Sequence, residues 1–163
     1  MLGGMSEDAP GPARYASEID EARERLVAFA GGCSDEQWHA APLDGDPRPV
    51  GVVVDHVAHA YEYLAGWMRQ ILDGQAVTVS GEVVDALNAE HAARAAVTQA
   101  EAVEHLRRSG TAISRLVAGC SAGDLQSGEG RVERLAQIAI RHADDHLAEI
   151  EAGLAASASP GPA

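Results

Sequence analysis

A pair of histidines near the C-terminal end of the chain has a spacing that suits metal binding. His142 and His146 form an H-x-x-x-H pair, and residues four apart lie one above the other on a helix face. Their stripe also carries Leu135, Ile138 and Ile150, so it should face the core, where buried imidazoles need a partner. A divalent cation satisfies two neutral imidazoles together. The pair alone is equally compatible with two hydrogen-bonded core histidines or two exposed ones.

A third nitrogen ligand has to come from another helix. His56 lies on an otherwise apolar helix stripe, and His59 follows three residues later. Because side chains three apart diverge in direction, we expect one of these two to bind the ion while the other packs or faces solvent. Taken singly, each is more typical of a structural histidine. His91 is a weaker candidate, and His39 and His105 are predicted to be exposed.

Two segments that contain these histidines resemble the signature of one protein family. Residues 49–59 read P-V-G-V-V-V-D-H-V-A-H, similar to the W-S-V-G-x-V-x-x-H-L segment of the DinB superfamily. Residues 135–150 resemble that family's closing H-x-x-x-H-L-x-x-I helix, and residues 101–125 its long third helix and the turn after it. The resemblance covers most of residues 14–156. It implies metal ligands at His56, His142 and His146, with His59 as a neighbour of the site.

Three neutral imidazoles leave a divalent ion with at least one open position, as in catalytic sites. We expect one divalent metal ion, Zn²⁺ or Ni²⁺ before Fe²⁺ or Mn²⁺, because the first two suit imidazole best. The DinB-like bundles that the sequence resembles include transferases and isomerases that use low-molecular-weight thiols such as mycothiol or bacillithiol. One departure is Arg48, which stands where the family often has Trp and affects the expected local packing.

These considerations leave three functional hypotheses. The first is a metal-dependent transferase, isomerase or hydrolase of a small-molecule substrate, with a low-molecular-weight thiol as cosubstrate; it predicts an ion that water can reach and a polar cavity beside it. The second is a non-catalytic, stress-associated metal-binding bundle, which predicts a sealed site or no turnover. The third is a helical interaction module without metal, which requires His56 to lie far from the pair.

Other metal chemistry fits the sequence less well. A zincin needs H-E-x-x-H, and Ala143 stands where its glutamate would be. A di-iron bundle needs two E-x-x-H helices, whereas the spacing occurs once, from Glu36 to His39, in a turn region. Haem attachment would need a CxxCH motif, which the chain lacks.

Other residues near the predicted site allow two readings each. Asp145 and Glu149 lie one turn from a histidine and either orient an imidazole or are solvated charges. Tyr63 and Trp67 share the His56 stripe and either wall a pocket or belong to the core. The two cysteines lie at turns without a neighbouring Lys or His and are predicted to act as small apolar side chains: Cys33 and Cys120.

Four helical segments must position these residues. Apolar side chains recur at helical intervals, and Gly, Pro and Asp mark the ends, which gives helices at about residues 15–30, 50–72, 82–118 and 131–156. Only residues 75–80 suggest extended chain. With thirty-two Ala in 163 residues, we predict an all-α, up-and-down four-helix bundle over residues 14–156, with disordered tails at residues 1–13 and 157–163.

The charge balance excludes some partners. Acidic residues outnumber basic ones 25 to 12, for a net charge of −13, so nucleic acid and anionic membrane surfaces should repel the chain. No segment reaches the length of a membrane span, and the first residues lack the features of a leader, so we expect a cytoplasmic protein. The apolar circumference of the second helix favours a homodimer, because a monomer must cover every side of it.

Overall fold

The chain is helical throughout the part that its structure describes. The computed structural model describes residues 10–93 and 97–159, and within them the chain forms seven α-helices and no strand. They are α1 (Pro12–Gly32), α2 (Asp35–His39), α3 (Val50–Leu72), α4 (Gly81–Ala92), α5 (Gln99–Ala118), α6 (Ala122–Leu125) and α7 (Ser127–Ala158). The predicted all-α class is confirmed. No helix in these ranges is both long and apolar enough to cross a membrane.

The four long helices enclose one hydrophobic core. Helices α1 and α3 each pack against both α5 and α7. The largest fully buried side chains come from all four: Ile19, Leu26, Tyr61, Met68, Leu106, Ile113 and Ile150. Every residue of α3 from 50 to 58 is buried. The chain therefore covers much of the apolar surface of α3 by itself, and a homodimer stays a prediction.

Helix α3 has the bounds that its sequence predicts. It starts at Val50, directly after Pro49, and ends at Leu72, before Asp73 and Gly74. Gly74 has a φ of 75°, a conformation that glycine adopts without a steric penalty. The residues that flank the helix and the apolar residues within it predict the same bounds. The sequence alone therefore suffices to predict this helix.

The two short helices form at serine caps. At the start of α2, Ser34 Oγ accepts a hydrogen bond from Gln37 N (3.1 Å), and Ser34 N donates one to Gln37 Oε1 (2.9 Å). The two bonds together form a capping box. Ser121 and Asp124 form the same pair of bonds at the start of α6.

The predicted third helix over residues 82–118 is wrong as one element, because the structure has two helices there, α4 and α5. Thr98 begins the second of them: its Oγ1 accepts from Glu101 N (3.3 Å), while its backbone N donates to Glu101 Oε2 (3.1 Å). Gly110 lies inside α5. A Cβ there would lie 2.5 Å from Arg23 Cδ, so this glycine permits the close approach of α1.

The ends of the bundle differ slightly from the prediction. Pro12 and Ala13 already belong to α1, and Ser157 and Ala158 still belong to α7. Residues 1–9 and 160–163 of the predicted tails lie outside the described residues. Residues 75–80 form no regular element, and Arg131 Nη1 donates to the Val77 carbonyl (2.6 Å).

The start of the final helix contains three residues with positive φ. The values for Gly128, Glu129 and Gly130 are 60°, 61° and 74°. The right-handed helix of α7 therefore proceeds from Arg131, where the sequence predicted its beginning. Two of the three positions are glycines, for which this conformation carries no Cβ penalty.

Two glycines of α3 should respond oppositely to alanine. A Cβ at Gly51 would lie 2.5 Å from Trp38 Cε2, whereas Gly66 has open space around it. Gly51→Ala should lower the free energy of unfolding by about 1–3 kcal/mol through overpacking. Gly66→Ala should raise it by about 0.5–1 kcal/mol, because alanine loses less backbone entropy in a helix. Urea denaturation measures both, and equal effects in the two variants would contradict the close packing of Trp38 on α3.

Candidate metal centre

Three imidazoles from two packed helices meet at one point. His56 lies on α3, and His142 and His146 lie one turn apart on α7. His56 Nε2 and His142 Nε2 are 3.1 Å apart, and each of the three residues offers one ring nitrogen within 4.8 Å of the other two. The hypothesis of a helical interaction module without metal requires His56 to lie far from His142 and His146. The short distance between His56 and His142 contradicts this hypothesis.

These side chains fit a divalent cation. Between two nitrogens 3.1 Å apart only one hydrogen bond can form, whereas a cation binds both lone pairs. Three imidazole nitrogens are a ligand set that Zn²⁺ and Ni²⁺ accept. His146 Nδ1 is buried and makes no hydrogen bond of good geometry among the described residues, although Glu149 Oε2 lies 3.3 Å away. A metal ion is one partner that could satisfy this imidazole.

A cavity of about 250 Å³ lies beside the centre, and two of the three imidazoles, those of His56 and His142, line it. His56, His59, His91 and His142 contribute its histidines. Tyr63 and Trp67 stand in its wall with their rings stacked 6.3 Å apart. The other wall residues are mainly aliphatic: Ala60, Leu64, Val79, Val84, Leu87, Leu135 and Ile138, with Asn88 as a polar exception. The first functional hypothesis predicts a polar cavity beside the ion, whereas the wall of this cavity is mainly apolar.

Comparison with known proteins identifies the family. A family model described as the DinB superfamily matches residues 18–150. The chain belongs to the DinB superfamily. No curated protein and no solved structure matches it significantly. The match begins within α1 and ends within α7, so it contains every histidine of the centre in this DinB-superfamily chain.

Burial keeps the imidazoles of this DinB-superfamily centre neutral. Desolvation, followed by the neighbouring imidazoles and Arg48, lowers the pKa of His56 to about 3. Desolvation and His146 lower the pKa of His142 to about 4, and desolvation also lowers the pKa of His146. At neutral pH the ring nitrogens therefore keep the lone pairs that a metal ion requires.

A second polar cluster, which the sequence did not reveal, lies on the α5 side of the same DinB helix α3. We name it the Asp55 cluster; it contains Asp55, His59, Glu62, His91 and His105. The buried Asp55 carboxylate lies 2.7 Å from His105 Nδ1 and 3.1 Å from His91 Nε2, and both nitrogens hydrogen bond to it. Burial alone would raise the pKa of Asp55, but these hydrogen bonds outweigh it and hold that pKa well below its usual range.

The exposure predicted for His105 is wrong, whereas that of His39 is confirmed. The side chain of His105 is 12% exposed and that of His39 is 59% exposed. The hydrogen bond to Asp55, opposed by burial and aided by Glu62, raises the pKa of His105. His105 was misjudged because its burial comes from the packing of α5 on α3, which local charge patterns do not encode.

The remaining candidates have modest roles. Glu149 contacts His146, which agrees with the interpretation that it orients an imidazole. Asp145 is exposed, which agrees with its interpretation as a solvated charge. Cys33 and Cys120 are free and half-buried. Burial raises the pKa of both thiols, which disfavours the thiolate and agrees with their interpretation as small apolar side chains.

Acid should destabilise the metal-free protein through the centre. His56 and His142 have folded-state pKa values of about 3 and about 4, against about 6.5 in an unfolded chain. The unfolded state therefore binds protons that the folded state does not, and the free energy of unfolding should fall as the pH drops from about 6.5 to 4. Urea denaturation with a chelator at pH 7 and pH 5 measures this fall.

A matched variant isolates the share of one histidine in this acid sensitivity. His142→Phe keeps a ring but removes one titrating group, so it should lose less stability between the two pH values than the parent protein. The comparison is needed because the raised pKa of His105 contributes in the opposite direction. Identical losses in both proteins would contradict the lowered pKa of His142.

Proposed function

We propose that this DinB-superfamily protein is a divalent-metal-dependent transferase or isomerase, or a hydrolase, that acts on a small molecule with a low-molecular-weight thiol as cosubstrate. The observation that carries the proposal is the position of the three imidazoles beside a ligand-sized cavity. His56 and His142 line that cavity as well as belonging to the centre. A sealed centre, which a purely structural ion would favour, lacks such a cavity.

The centre and its cavity have separate tasks in this proposal. His56, His142 and His146 would hold the ion. When bound, a divalent ion supplies Lewis-acid activation of a thiol or a water molecule. In thiol transfer the S–H bond of the thiol and the bond from the substrate carbon to its leaving group break, a carbon–sulfur bond forms, and the proton passes to the departing group or to solvent. The protein's own contribution is to place the two reactants together and to exclude bulk water.

The cavity wall favours a substrate with an apolar portion. Tyr63, Trp67 and the aliphatic wall residues offer dispersion contacts and few hydrogen-bonding groups. Asn88 provides a polar contact that can orient a ligand. We also propose an up-and-down topology for the four long helices, which is supported by the packing of α1 and α3 on both α5 and α7.

An assay of thiol transfer tests the proposed function. A set of small apolar electrophiles is combined with cysteine, glutathione, mycothiol or bacillithiol, and thiol consumption is followed with zinc, with chelator, and after zinc is restored. We expect turnover that the chelator abolishes and zinc restores. His142→Ala should lack this turnover, whereas His39→Ala, an exposed histidine outside the centre, should retain it. Chelator-insensitive turnover, or metal binding without any turnover, would contradict the proposal; the second result would favour a non-catalytic metal-binding bundle.

A further inference from the structure

We propose that the Asp55 cluster binds a second divalent cation, with Asp55, His59 and His105 as its protein ligands. This site is separate from the three-histidine centre and does not depend on the proposed enzymatic activity. One oxygen or nitrogen atom from each of the three residues lies within 4.8 Å of the other two. The cluster is therefore a second point of convergence for metal-binding side chains in the same bundle.

The spacing of the atoms suits coordination of one ion. Asp55 Oδ1 lies 2.7 Å from His105 Nδ1, and Asp55 Oδ2 lies 3.4 Å from His59 Nε2. Ligand atoms that share an ion at about 2.0–2.2 Å are themselves roughly 3 Å apart. Two imidazoles and one carboxylate form a known donor set for Zn²⁺ and for Fe²⁺.

Glu62 provides the second observation that points to a metal ion. Its Oε1 lies 3.0 Å from His105 Nε2, and its Oε2 lies 3.3 Å from His59 Nδ1. One carboxylate thus contacts the outer nitrogens of both imidazoles, while their inner nitrogens face Asp55. Carboxylates that accept hydrogen bonds from the outer nitrogens of histidine ligands orient the rings of metal sites and raise their basicity.

The two candidate sites have the same construction on neighbouring helices. Asp55 and His59 are four residues apart on α3, as His142 and His146 are on α7, and each pair receives one histidine from an adjacent long helix. Asp55 and His56 are consecutive, so adjacent side chains of α3 enter different sites. The buried carboxylate also compensates part of the charge of a divalent ion, which the three-histidine centre cannot do.

His91 connects the two sites. Its side chain is 3% exposed, its Nε2 lies 3.1 Å from Asp55 Oδ2, and its Nδ1 has no hydrogen-bond partner within residues 10–93 and 97–159. Its ring centroid lies 4.7 Å from that of His59 and 5.6 Å from that of His56. An ion in the Asp55 cluster would therefore join α3 to α5 and, through Asp55 and His91, fix α4 as a wall of the cavity.

Zinc stoichiometry in variants of the two sites tests the proposal. The full chain, without an affinity tag, is stripped with chelator, equilibrated with zinc, freed of excess metal and analysed for zinc per chain. We expect about two zinc ions in the parent protein, one in His105→Ala, one in His142→Ala and none in the double variant. His39→Ala should still bind two. The proposal would be overturned if the parent bound one zinc ion, His105→Ala still bound one, and His142→Ala bound none. Hydrogen bonds without a metal ion would then hold the Asp55 cluster together.

A second measurement decides the matter if His105→Ala does not fold. His142→Ala leaves every residue of the Asp55 cluster in place, so zinc should bind to it at one equivalent and raise its Tm. A zinc X-ray absorption spectrum of this variant should show two imidazoles and a carboxylate oxygen as protein ligands. No bound zinc, or zinc coordinated by imidazoles without an oxygen from the protein, would overturn the second site. Zinc binding to the three-histidine centre is measured separately in His105→Ala, in which the Asp55 cluster lacks one ligand. If His105→Ala does not fold, Asp55→Asn is used instead.

Discussion

Replacing His142 with alanine is expected to weaken zinc binding at the three-histidine centre by more than about 100-fold. Loss of a group that only orients a metal ligand already costs roughly 10- to 100-fold in affinity, and loss of the ligand itself should cost more. The variant retains His146 and His56, but these come from different helices and leave only two imidazoles. Competition with a chromophoric chelator measures the change.

The comparison is cleanest when the Asp55 cluster cannot contribute. Both proteins are therefore prepared with His105→Ala as well, so that the measured affinity belongs to the centre alone. His56→Ala in the same background should produce a loss of similar size, because both residues offer nitrogens to the same point. His39→Ala should bind zinc like its parent. Affinities within a factor of three of each other in all four proteins would contradict a shared site.

The largest expected effect on stability comes from Asp55. In the metal-free protein, Asp55→Ala should lower the free energy of unfolding by about 3 kcal/mol, because it leaves buried imidazoles without their anionic acceptor. His91 and His105 both hydrogen bond to this carboxylate, and Asp55 itself is 4% exposed. Urea denaturation in the presence of chelator measures the loss without any contribution from bound metal.

An exposed aspartate on another helix provides the control for this measurement. Asp145 lies on α7 with an exposed side chain, so Asp145→Ala should change the free energy of unfolding by no more than about 0.5 kcal/mol. If Asp55→Ala lowered the free energy of unfolding as little as this control does, the hydrogen bonds of the Asp55 cluster would contribute little to stability. The Asp55 cluster would then not anchor α3, α4 and α5 to one another.

Local signals in the sequence predict much of this fold. The bounds of α3 follow from Pro49 before it and Asp73-Gly74 after it. The Ser-x-x-Gln spacing of Ser34 and Gln37 is that of a capping box, and the structure contains this box. The spacing of His142 and His146 on an apolar stripe predicts that both enter the bundle. These features are readable because each depends on residues within a few positions of one another.

Features that depend on how the helices pack against one another could not be predicted from local sequence signals. The contact between Asp55 and His105 joins residues fifty positions apart and exists only because α3 packs on α5. One signal was available: Asp55 and His59 form a D-x-x-x-H pair on the same helix as His56. Likewise, apolar spacing continued through residues 82–118, although the Thr98 cap starts a separate helix there.

The cavity changes what should be sought as a substrate. A polar cavity was expected beside a catalytic ion, yet most of the wall is aliphatic or aromatic and the polar groups are mainly histidines. Such a cavity stabilises an apolar substrate by removing its surface from water, at about 25 cal/mol per Å². Small electrophiles with an apolar group are therefore the first compounds to test with each thiol.

The central claim is that His56, His142 and His146 hold one divalent ion together. Anomalous diffraction from crystals of the zinc-loaded protein, recorded on both sides of the zinc absorption edge, tests it most directly. We predict an anomalous peak about 2.0–2.1 Å from one ring nitrogen of each of these three residues. Fully loaded crystals without a peak at that point, or with the three rings bonded only to protein groups, would contradict it.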